Sequence, residues 1–220
     1  MSPRRGDALS RDRIVDATVQ LLDAEGEAGL TVRAVTARLA TGRGAIYHHV
    51  SGKDDLLAAA ADGVVGRALT GLADDDDAER AVRAVALAIF EAIDAHPWLG
   101  AQLARDPAQP AVLRIWKTVG GPLRRLGLTG TALPNTGSAL VNYVLGAAAQ
   151  HAAGARRAPD EAARRAYLED LATRWAQHDD DPIVRETAAV LRDHDDRQQF
   201  LAGVDIFLAG ARALTRPDRS

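Results

Sequence analysis

The sequence predicts an all-α protein, and three observations support that prediction. Apolar residues make up 47% of the 220-residue chain and aromatic residues 4%, so the core must be built mainly from Ala, Leu and Val. That composition favours close-packed helices over sheets. Apolar residues recur at three- and four-residue spacing, and no segment of useful length alternates as a strand does. We expect about nine or ten helices.

The first long helix is expected over residues 11–25. Ser10 precedes it, and a serine hydroxyl can accept a hydrogen bond from a free backbone N–H of the first turn. Apolar residues from Ile14 to Leu22 follow the spacing of one buried face. Gly26 suits a helix end in the left-handed conformation.

Residues 30–57 predict two short helices, a tight turn and the start of a third helix. Thr31 is placed to cap the first of them, and Val35 and Leu39 give it one apolar edge. Gly42 follows this helix, and it permits a backbone conformation that a Cβ atom would resist.

The second short helix is expected over residues 43–49. It is too short to be stable alone, so Ile46 must pack against neighbouring helices. Ser51 and Asp54, three residues apart, form a capping-box pattern with Asp in place of Glu or Gln. That pattern starts the next helix, expected over residues 53–70.

The segment that holds the two short helices is basic. Residues 28–53 contain no acidic residue and four basic ones, a formal charge of +4. A helix-turn-helix presents its second helix to the DNA major groove. Basic residues raise DNA affinity because they release counterions from the phosphate backbone. The charge alone fits a helical hairpin with a basic face equally well. The net charge of −3 argues against a protein that coats nucleic acid, but not against a local DNA-binding face.

Residues 11–70 resemble the DNA-binding domain of the tetracycline-repressor (TetR) family of transcriptional regulators. The residues that carry the resemblance are IVDATVQLLDAEGEAGLTVRAVTARLA and GAIYHHVSGKDDLL. The order GLTVR, then IYHHV, then a Gly-Lys step into an apolar helix is specific. The family commonly has Gly at the turn position that Ala40 holds here. We therefore expect the turn to be placed differently and to rely on Gly42.

The resemblance implies that eight residues contact DNA: Arg33, Arg43, Gly44, Ala45, Tyr47, His48, His49 and Lys53. Arg43 is the best candidate to read a base, because a guanidinium can bond bidentately to guanine. Tyr47, His48 and Lys53 are expected to contact phosphates, which fix register without reading sequence.

The remaining contacts are expected to be of other kinds. Gly44 and Ala45 would let the helix backbone approach the groove closely, and Ala45 could touch a thymine methyl group. His49 can cap or pack instead of touching DNA. Arg38 is expected to face solvent on the back of its helix.

The predicted division places an N-terminal arm and the helix-turn-helix in residues 1–52, a connecting helix in 53–70, and a helical region for effector binding and dimerisation in 71–220. Arg4 and Arg5 of the arm could reach DNA, although a solvated tail is the simpler interpretation. Residues 71–77, with four successive aspartates, predict a solvated linker. Further helices are expected over residues 78–95, 98–104, 111–126 (broken near Gly120-Gly121-Pro122), 134–154, 161–177, 182–192 and 198–214.

The C-terminal region is expected to hold a small-molecule pocket, since such pockets are mostly apolar with a few placed polar groups. For each tryptophan, plain core packing is the simpler interpretation. The resemblance also implies that the helix from Pro134 and the final helix form a four-helix bundle with a second subunit. A two-fold dimer predicts a palindromic operator. The residues expected to line the pocket are Trp98, Trp116, Asn142, Tyr143, His151 and Trp175.

Catalysis and metal binding have little support in the sequence. Cysteine is absent, so no disulfide, thiolate metal site or cysteine nucleophile exists. No motif of a phosphate-binding loop, dinucleotide fold, zinc protease or serine hydrolase is complete. The runs at 178–180 and 194–196, each His-Asp-Asp, resemble metal ligands but are expected to be solvated loop ends. We expect no cofactor, no catalytic residue and no resident metal.

The first hypothesis is a cytoplasmic, dimeric regulator that represses transcription until a small molecule releases it from its operator. The N-terminus lacks a secretory signal, and no apolar run is long enough to span a membrane. A second hypothesis is a helical ligand carrier or enzyme with a non-functional helix-turn-helix. A third is an architectural DNA binder without an effector.

Overall fold

The computed structural model describes residues 9–72, 75–157, 160–179, 181–192 and 194–215 of the chain. Every segment predicted to be helical forms a separate helix, so the described residues contain eleven helices instead of nine or ten and no strand. The all-α prediction is confirmed. The helices are α1 (Arg11–Gly29), α2 (Val32–Arg38), α3 (Arg43–Tyr47), α4 (Lys53–Ala68), α5 (Ala78–Ala95), α6 (Trp98–Arg105), α7 (Pro110–Arg125), α8 (Ala132–Arg157), α9 (Glu161–His178), α10 (Pro182–Leu191) and α11 (Asp196–Thr215).

The start of α1 and the interruption at Gly26 are as predicted. The Ser10 hydroxyl accepts a hydrogen bond from the Arg13 N–H at 3.3 Å, which confirms the cap. Gly26 takes the expected left-handed φ of 67° and breaks the regular helix. A short further helical turn follows this kink and reaches Gly29.

The turn between α2 and α3 corrects the expectation about Gly42. Ala40 itself takes a left-handed φ of 48°, whereas Gly42 has φ −83° and ψ 153°, which any residue adopts. The turn is therefore in the position typical of the family, with an alanine where glycine is usual. The predicted cap of α2 is confirmed, since the Ala34 N–H donates to the Thr31 hydroxyl at 3.0 Å.

The start of α4 corrects the predicted capping box. The backbone N–H of Ser51 donates to Asp55 Oδ2 at 2.9 Å and its hydroxyl to the same oxygen at 3.3 Å, so the partner is Asp55 and not Asp54. The helix packs against α1 on one side and against α5, α6 and α7 on the other. One continuous apolar core therefore runs from Ile14 to Ala211.

Helices α5, α7 and α8 form the centre of the C-terminal region, with α6 packed on α8. The predicted break of α7 near Gly120-Gly121-Pro122 is wrong, because the helix continues through Pro122 to Arg125. Proline removes one helical hydrogen bond. Here Pro122 is buried beside Val119 and Leu123, and that apolar burial offsets the loss.

Helices α9 and α10 form a hairpin that packs chiefly on itself. Its buried residues, Leu168, Ala172 and Ala188, are not part of the continuous core. Helix α11 returns to pack along α8 and α5. No described helix is long and apolar enough to cross a membrane. Arg4 and Arg5 lie outside the described residues, as does part of the aspartate run.

Candidate nucleic-acid interface and ligand cavity

Helix α3 is held by one buried contact and presents the rest of its surface outward. Ile46 is fully buried against a core that includes Leu30, Val35 and Val50. The turns of α3 are closed by backbone bonds, from the Ala45 N–H to the Gly42 carbonyl and from the His49 N–H to the Ile46 carbonyl. A five-residue helix is thereby fixed by its neighbours.

The outward side of this segment consists of residues that the sequence predicted as DNA contacts. Arg33, Arg43, Gly44 and His48 are exposed, and Tyr47 is 54% exposed. Among the described residues, none forms a hydrogen bond or an ion pair with the side chains of Arg33, Arg43, Tyr47 or His48. These side chains are therefore available to an external partner such as a phosphate or a base edge.

Three predicted contacts are less open. Ala45, His49 and Lys53 are half-buried. The Lys53 ammonium donates to the backbone carbonyl of Glu27 at 2.7 Å, so it closes the end of α1. Arg38 lies on the other side of α2, where its Nε donates to Gln20 Oε1 at 3.0 Å, as expected for a residue that faces away from DNA.

The C-terminal region contains a cavity of about 880 Å³ between α8, α11 and the α9–α10 hairpin. Three residues predicted to bind ligand, Asn142, Tyr143 and His151, line it. Its apolar surface includes Phe90, Phe200, Leu168 and Leu171. Its polar lining residues include Gln150, Arg164, Tyr167, His194, Asp196 and Gln199. A volume of this size and composition suits an organic molecule.

One wall of the large cavity is a row of aromatic rings. The ring centroids of Phe90 and Phe200 are 4.5 Å apart, and that of Phe90 lies 4.8 Å from that of His151. Tyr143 stacks on Phe200 at 5.7 Å and donates its hydroxyl to the Phe200 carbonyl at 3.0 Å. Burial raises the pKa of the Tyr143 phenol, which stays neutral and donating.

A charged cluster lies beside this wall and consists of the exposed Asp94 and the half-buried His151, Arg164, His194 and Asp196. The expectation that residues 194–196 are a solvated loop end is wrong for His194 and Asp196. Asp196 accepts hydrogen bonds from Arg164 and from His194 Nε2, the latter at 3.1 Å. A second cavity of about 680 Å³ adjoins the first and shares these groups. No group of His, Cys, Asp or Glu suited to a metal occurs in the described part of the chain.

The three tryptophans do not line the large cavity. Trp98 Nε1 donates to Asp23 Oδ1 at 2.7 Å, so it joins α6 to α1. Trp116 packs against the core beside Gly137, and Trp175 lines a separate cavity of about 500 Å³ together with Val184 of α10. No contiguous sequence pattern marks Phe90, Phe200 or Arg164 as cavity residues, and Asp196 enters the sequence-based interpretation only through the His-Asp-Asp run at 194–196.

Polar contacts connect the DNA-binding helices to the C-terminal region. Arg105 Nη2 donates to Glu27 Oε2 at 2.8 Å, and this hydrogen bond lowers the pKa of the Glu27 carboxyl below its ordinary value. Arg114 of α7 forms two hydrogen bonds with Asp62 of α4, at 2.9 and 3.0 Å, which raise the pKa of Arg114. A shift of α6 or α7 would therefore pull on α1 and α4.

Comparison with known families gives two matches that together span most of the chain. The family described as "Bacterial regulatory proteins, tetR family" matches residues 14–60. The family described as "Tetracyclin repressor-like, C-terminal domain" matches residues 70–215, which is more than half of the chain.

Individual relatives agree with these matches. The HTH-type transcriptional repressor DrrR1 of Streptomyces coeruleorubidus is 36% identical over 151 residues, which cover 66% of this chain and 56% of DrrR1. This chain thus spans little more than half of DrrR1. An HTH-type transcriptional regulator of Saccharopolyspora erythraea is 32% identical over 172 residues, 77% of this chain and 72% of the relative.

Solved structures show the same fold. The transcriptional regulator SCO7222, a TetR from Streptomyces coelicolor, is 46% identical with a TM-score of 0.85, over 94% of this chain and all of that one. ActR from the same organism, in complex with actinorhodin, is 23% identical with a TM-score of 0.77, over 95% of this chain and 99% of ActR. At that identity ActR supports the fold alone. With two family matches, a helix-turn-helix and a helical C-terminal region, the chain belongs to the tetR family of bacterial regulatory proteins, which are DNA-binding transcriptional regulators.

Proposed function

We propose that this regulator is a dimeric repressor that binds a palindromic operator and is released when a small organic molecule occupies the large cavity. The observation that carries the proposal is the pairing of two features in one chain. Arg43, Tyr47 and His48 are exposed on α3 and at its end, where no other described residue bonds their side chains, and a cavity of about 880 Å³ lies in the C-terminal region. Residues 1–52, 53–70 and 71–220 would then serve as reader, connector and effector region.

The residues of α3 have distinct proposed tasks. Arg43 reads a guanine, because its exposed guanidinium has the fork geometry for the O6 and N7 atoms. Tyr47, His48 and Arg33 contact the phosphate backbone, and Gly44 and Ala45 let the helix approach the groove. For Lys53 the bond to Glu27 supports a positioning task at the base of α4 instead of a direct contact.

Dimerisation is proposed to use α8 and α11. Helix α11 exposes Ile206, Gly210 and Leu214 at four-residue spacing, and Ile206 is 72% exposed. Helix α8 exposes Ala139 and Gly146, which are small enough for close helix contact, and further exposed positions are Asn142 and Ala149. An apolar stripe on one helix and a small-residue stripe on its neighbour suit a four-helix bundle between two subunits.

Release would follow from movement of the C-terminal helices. A ligand between α8, α11 and α9 favours whichever arrangement of those helices gives it more contacts, and the shift cannot exceed the difference in affinity. The bonds of Arg105 to Glu27 and of Arg114 to Asp62 then move α1 and α4. The two recognition helices of the dimer would leave the separation that matches successive major grooves.

The relatives support the sign of regulation, because DrrR1 is named a repressor. By extension we assign this chain repression, and we assign it a small-molecule signal from its cavity and a cytoplasmic place of action beside the DNA. We assign it no catalytic step, because its charged cluster is bonded internally and its relatives are named as regulators.

The proposal is tested by the Arg43→Ala variant on a DNA duplex that carries the operator. Loss of one bidentate contact should weaken operator binding by roughly 1–3 kcal/mol per half-site and relax specificity at a single position. Fluorescence anisotropy at fixed salt gives both quantities.

Arg38→Ala is the matched control, because Arg38 is an arginine of the same segment bonded to Gln20 on the far side of α2. It should bind the operator as the unmodified chain does. Equal weakening by the two variants, or equal loss on unrelated DNA, would reduce Arg43 to a general phosphate contact.

A further inference from the structure

Arg164 carries more hydrogen-bonding capacity than its surroundings use. Its side chain is 19% exposed and lines both cavities. Among the described residues, Asp196 is the acceptor that its guanidinium bonds, although a guanidinium has five N–H donors in a fixed fork. A mostly buried cation with spare donors at a cavity is suited to a second acceptor, and the cavity is where a ligand could supply one.

Asp196, in turn, has stabilising partners besides Arg164. It accepts from Arg164 and His194, and it stands in the first turn of α11, where the helix dipole favours negative charge. His151 Nδ1 also lies 3.1 Å from Asp196 Oδ2, but the geometry makes no hydrogen bond. Asp196 would therefore remain well stabilised if Arg164 turned part of its fork toward another anion.

His151 presents a further unsatisfied polar atom. Its Nε2 lies 2.9 Å from Asp94 Oδ1, while its buried Nδ1 has no hydrogen-bond partner in the described structure. Phe90 stacks on the imidazole and fixes its plane. In the imidazolium form, in which both ring nitrogens donate, His151 and Arg164 could each donate to one acceptor placed between them.

The surfaces beside this pair are apolar. Phe90, Phe200 and Tyr143 form the aromatic wall, while Leu168 and Leu171 line the cavity from the hairpin. A molecule that reaches Arg164 must bury its remaining atoms among these side chains. A ring system with a single acidic group therefore fits this cavity best, because its rings contact the apolar walls while its acidic group reaches Arg164.

From these contacts we infer that the effector is an organic acid with an apolar ring body, whose acidic group binds Arg164 and His151 and competes with Asp196 for the guanidinium. The inference rests on the proposed effector function of the large cavity and adds the chemical class of its ligand. Competition for Arg164, which joins α9 to α11 through Asp196, would also move the hairpin when the acid binds.

Two fluorescent probes that differ by one acidic group test the inference. They are 8-anilinonaphthalene-1-sulfonate, an acid, and N-phenyl-1-naphthylamine, the same ring system without the sulfonate. Titration of the full-length protein should show that Arg164→Gln weakens binding of the sulfonate about tenfold, the effect of losing one charge-assisted bond. Binding of the neutral amine should change less than about twofold, since its rings meet only the apolar walls.

Asp196→Asn separates ligand binding from a purely structural ion pair. Removing the competing carboxylate charge should strengthen sulfonate binding, whereas a structural role predicts that Asp196→Asn and Arg164→Gln weaken both probes alike. Arg174→Gln is the matched control, because Arg174 lies on the same helix in an exposed pair with Asp170. It should leave both affinities unchanged.

The inference is overturned if Arg164→Gln affects the two probes equally, if Asp196→Asn weakens sulfonate binding, or if neither probe binds the unmodified protein. Operator binding is measured on the same samples without probe, so that a failure of the ligand class can be distinguished from a failure of the proposed function. Proteins that bind the operator normally but show no preference for the acid would refute the ligand class alone. Failure to bind any operator would refute the proposed function whatever the probes show.

Discussion

Ala40 is the residue at which the backbone of the DNA-binding region is most constrained. Its left-handed φ of 48° brings Cβ close to backbone atoms, a conformation that costs a non-glycine residue roughly 1–2 kcal/mol. The residue is exposed, so packing does not return that energy. The surrounding helices α2 and α3 must therefore hold it in place.

Ala40→Gly is expected to raise the free energy of unfolding by roughly 1 kcal/mol, because glycine adopts this conformation without the steric cost. Urea denaturation measures the change. At an ordinary backbone position the same substitution would lower stability by about 0.5–1 kcal/mol. The sign of the measured change therefore shows whether Ala40 is strained.

The opposite change supplies the control for this prediction. Ala40→Val places a branched Cβ in the same conformation and should be destabilising. Gly42→Ala should be tolerated, because a Cβ at Gly42 meets no atom within 4 Å and its φ is ordinary. Marked destabilisation by Gly42→Ala would restore Gly42 as the residue on which the turn depends.

Single residues were predictable from the sequence where their contacts are local. The caps at Ser10 and Thr31 each need one hydroxyl three residues before a free N–H, so sequence position suffices. The bond from Lys53 to Glu27 spans 26 residues and depends on how α1 meets α4, which no local pattern contains. The identity of the strained residue also required backbone angles.

At the scale of the elements, Gly203 of α11 lies directly against Tyr143 of α8. A Cβ built there would overlap the ring and hydroxyl of Tyr143, whose hydroxyl donates to the Phe200 carbonyl. Because Gly203 has no side chain, Tyr143 of α8 can pack directly against α11, and this contact positions the aromatic wall.

Gly203→Ala is expected to destabilise the protein by roughly 1–3 kcal/mol, the usual cost of overfilling a packed site. Thermal or urea unfolding measures the loss. Gly120→Ala in α7 is the control, because a Cβ there meets nothing within 4 Å and should gain about 0.5–1 kcal/mol of helix propensity. A stable Gly203→Ala variant would mean that Tyr143 can leave its place without penalty.

The helices themselves were largely predictable, because their apolar spacing and their end signals are written into contiguous sequence. The break predicted at Pro122 was wrong because a proline in the sequence indicates the loss of one helical hydrogen bond but not whether the residue is buried. Here the burial of Pro122 keeps α7 continuous. The hairpin of α9 and α10 was predicted as two helices, but its separation from the core was not. Two helices that bury few residues look like any other pair in sequence.

At the scale of the whole molecule, the exposed apolar stripe of α11 suits contact with a second subunit, and its Ile206 also lines the large cavity. Ile206→Lys is expected to weaken the dimer at least about tenfold, because it replaces roughly 1.5–3 kcal/mol of apolar burial per subunit with a charge. Sedimentation velocity over a range of concentrations measures the dissociation constant.

Ile183→Lys is the control for Ile206→Lys. Ile183 is as exposed, at 71%, but lies on α10 outside the proposed interface. The dimer should be unaffected by it. Equal effects of the two variants, or none from Ile206→Lys, would place the subunit contact elsewhere.

The function class was predictable from residues 11–70, while the ligand site was only partly so. Asn142, Tyr143 and His151 all belong to α8, and all three line the large cavity. Arg164 and Asp196 meet Phe90 there from helices far apart in sequence, so tertiary packing creates the charged cluster. The tryptophans were candidates by residue type, which does not reveal which side of a helix faces a cavity.

Operator recognition is best tested by selecting binding sites from random DNA with the purified full-length protein at near-physiological salt. A dimeric operator-binding regulator should enrich a two-fold symmetric motif whose half-sites lie about one helical turn, or a multiple, apart. That enrichment should disappear with Arg43→Ala. Recovery of no motif, with weak binding that added salt abolishes, would contradict the claim that this protein is a sequence-specific operator-binding regulator.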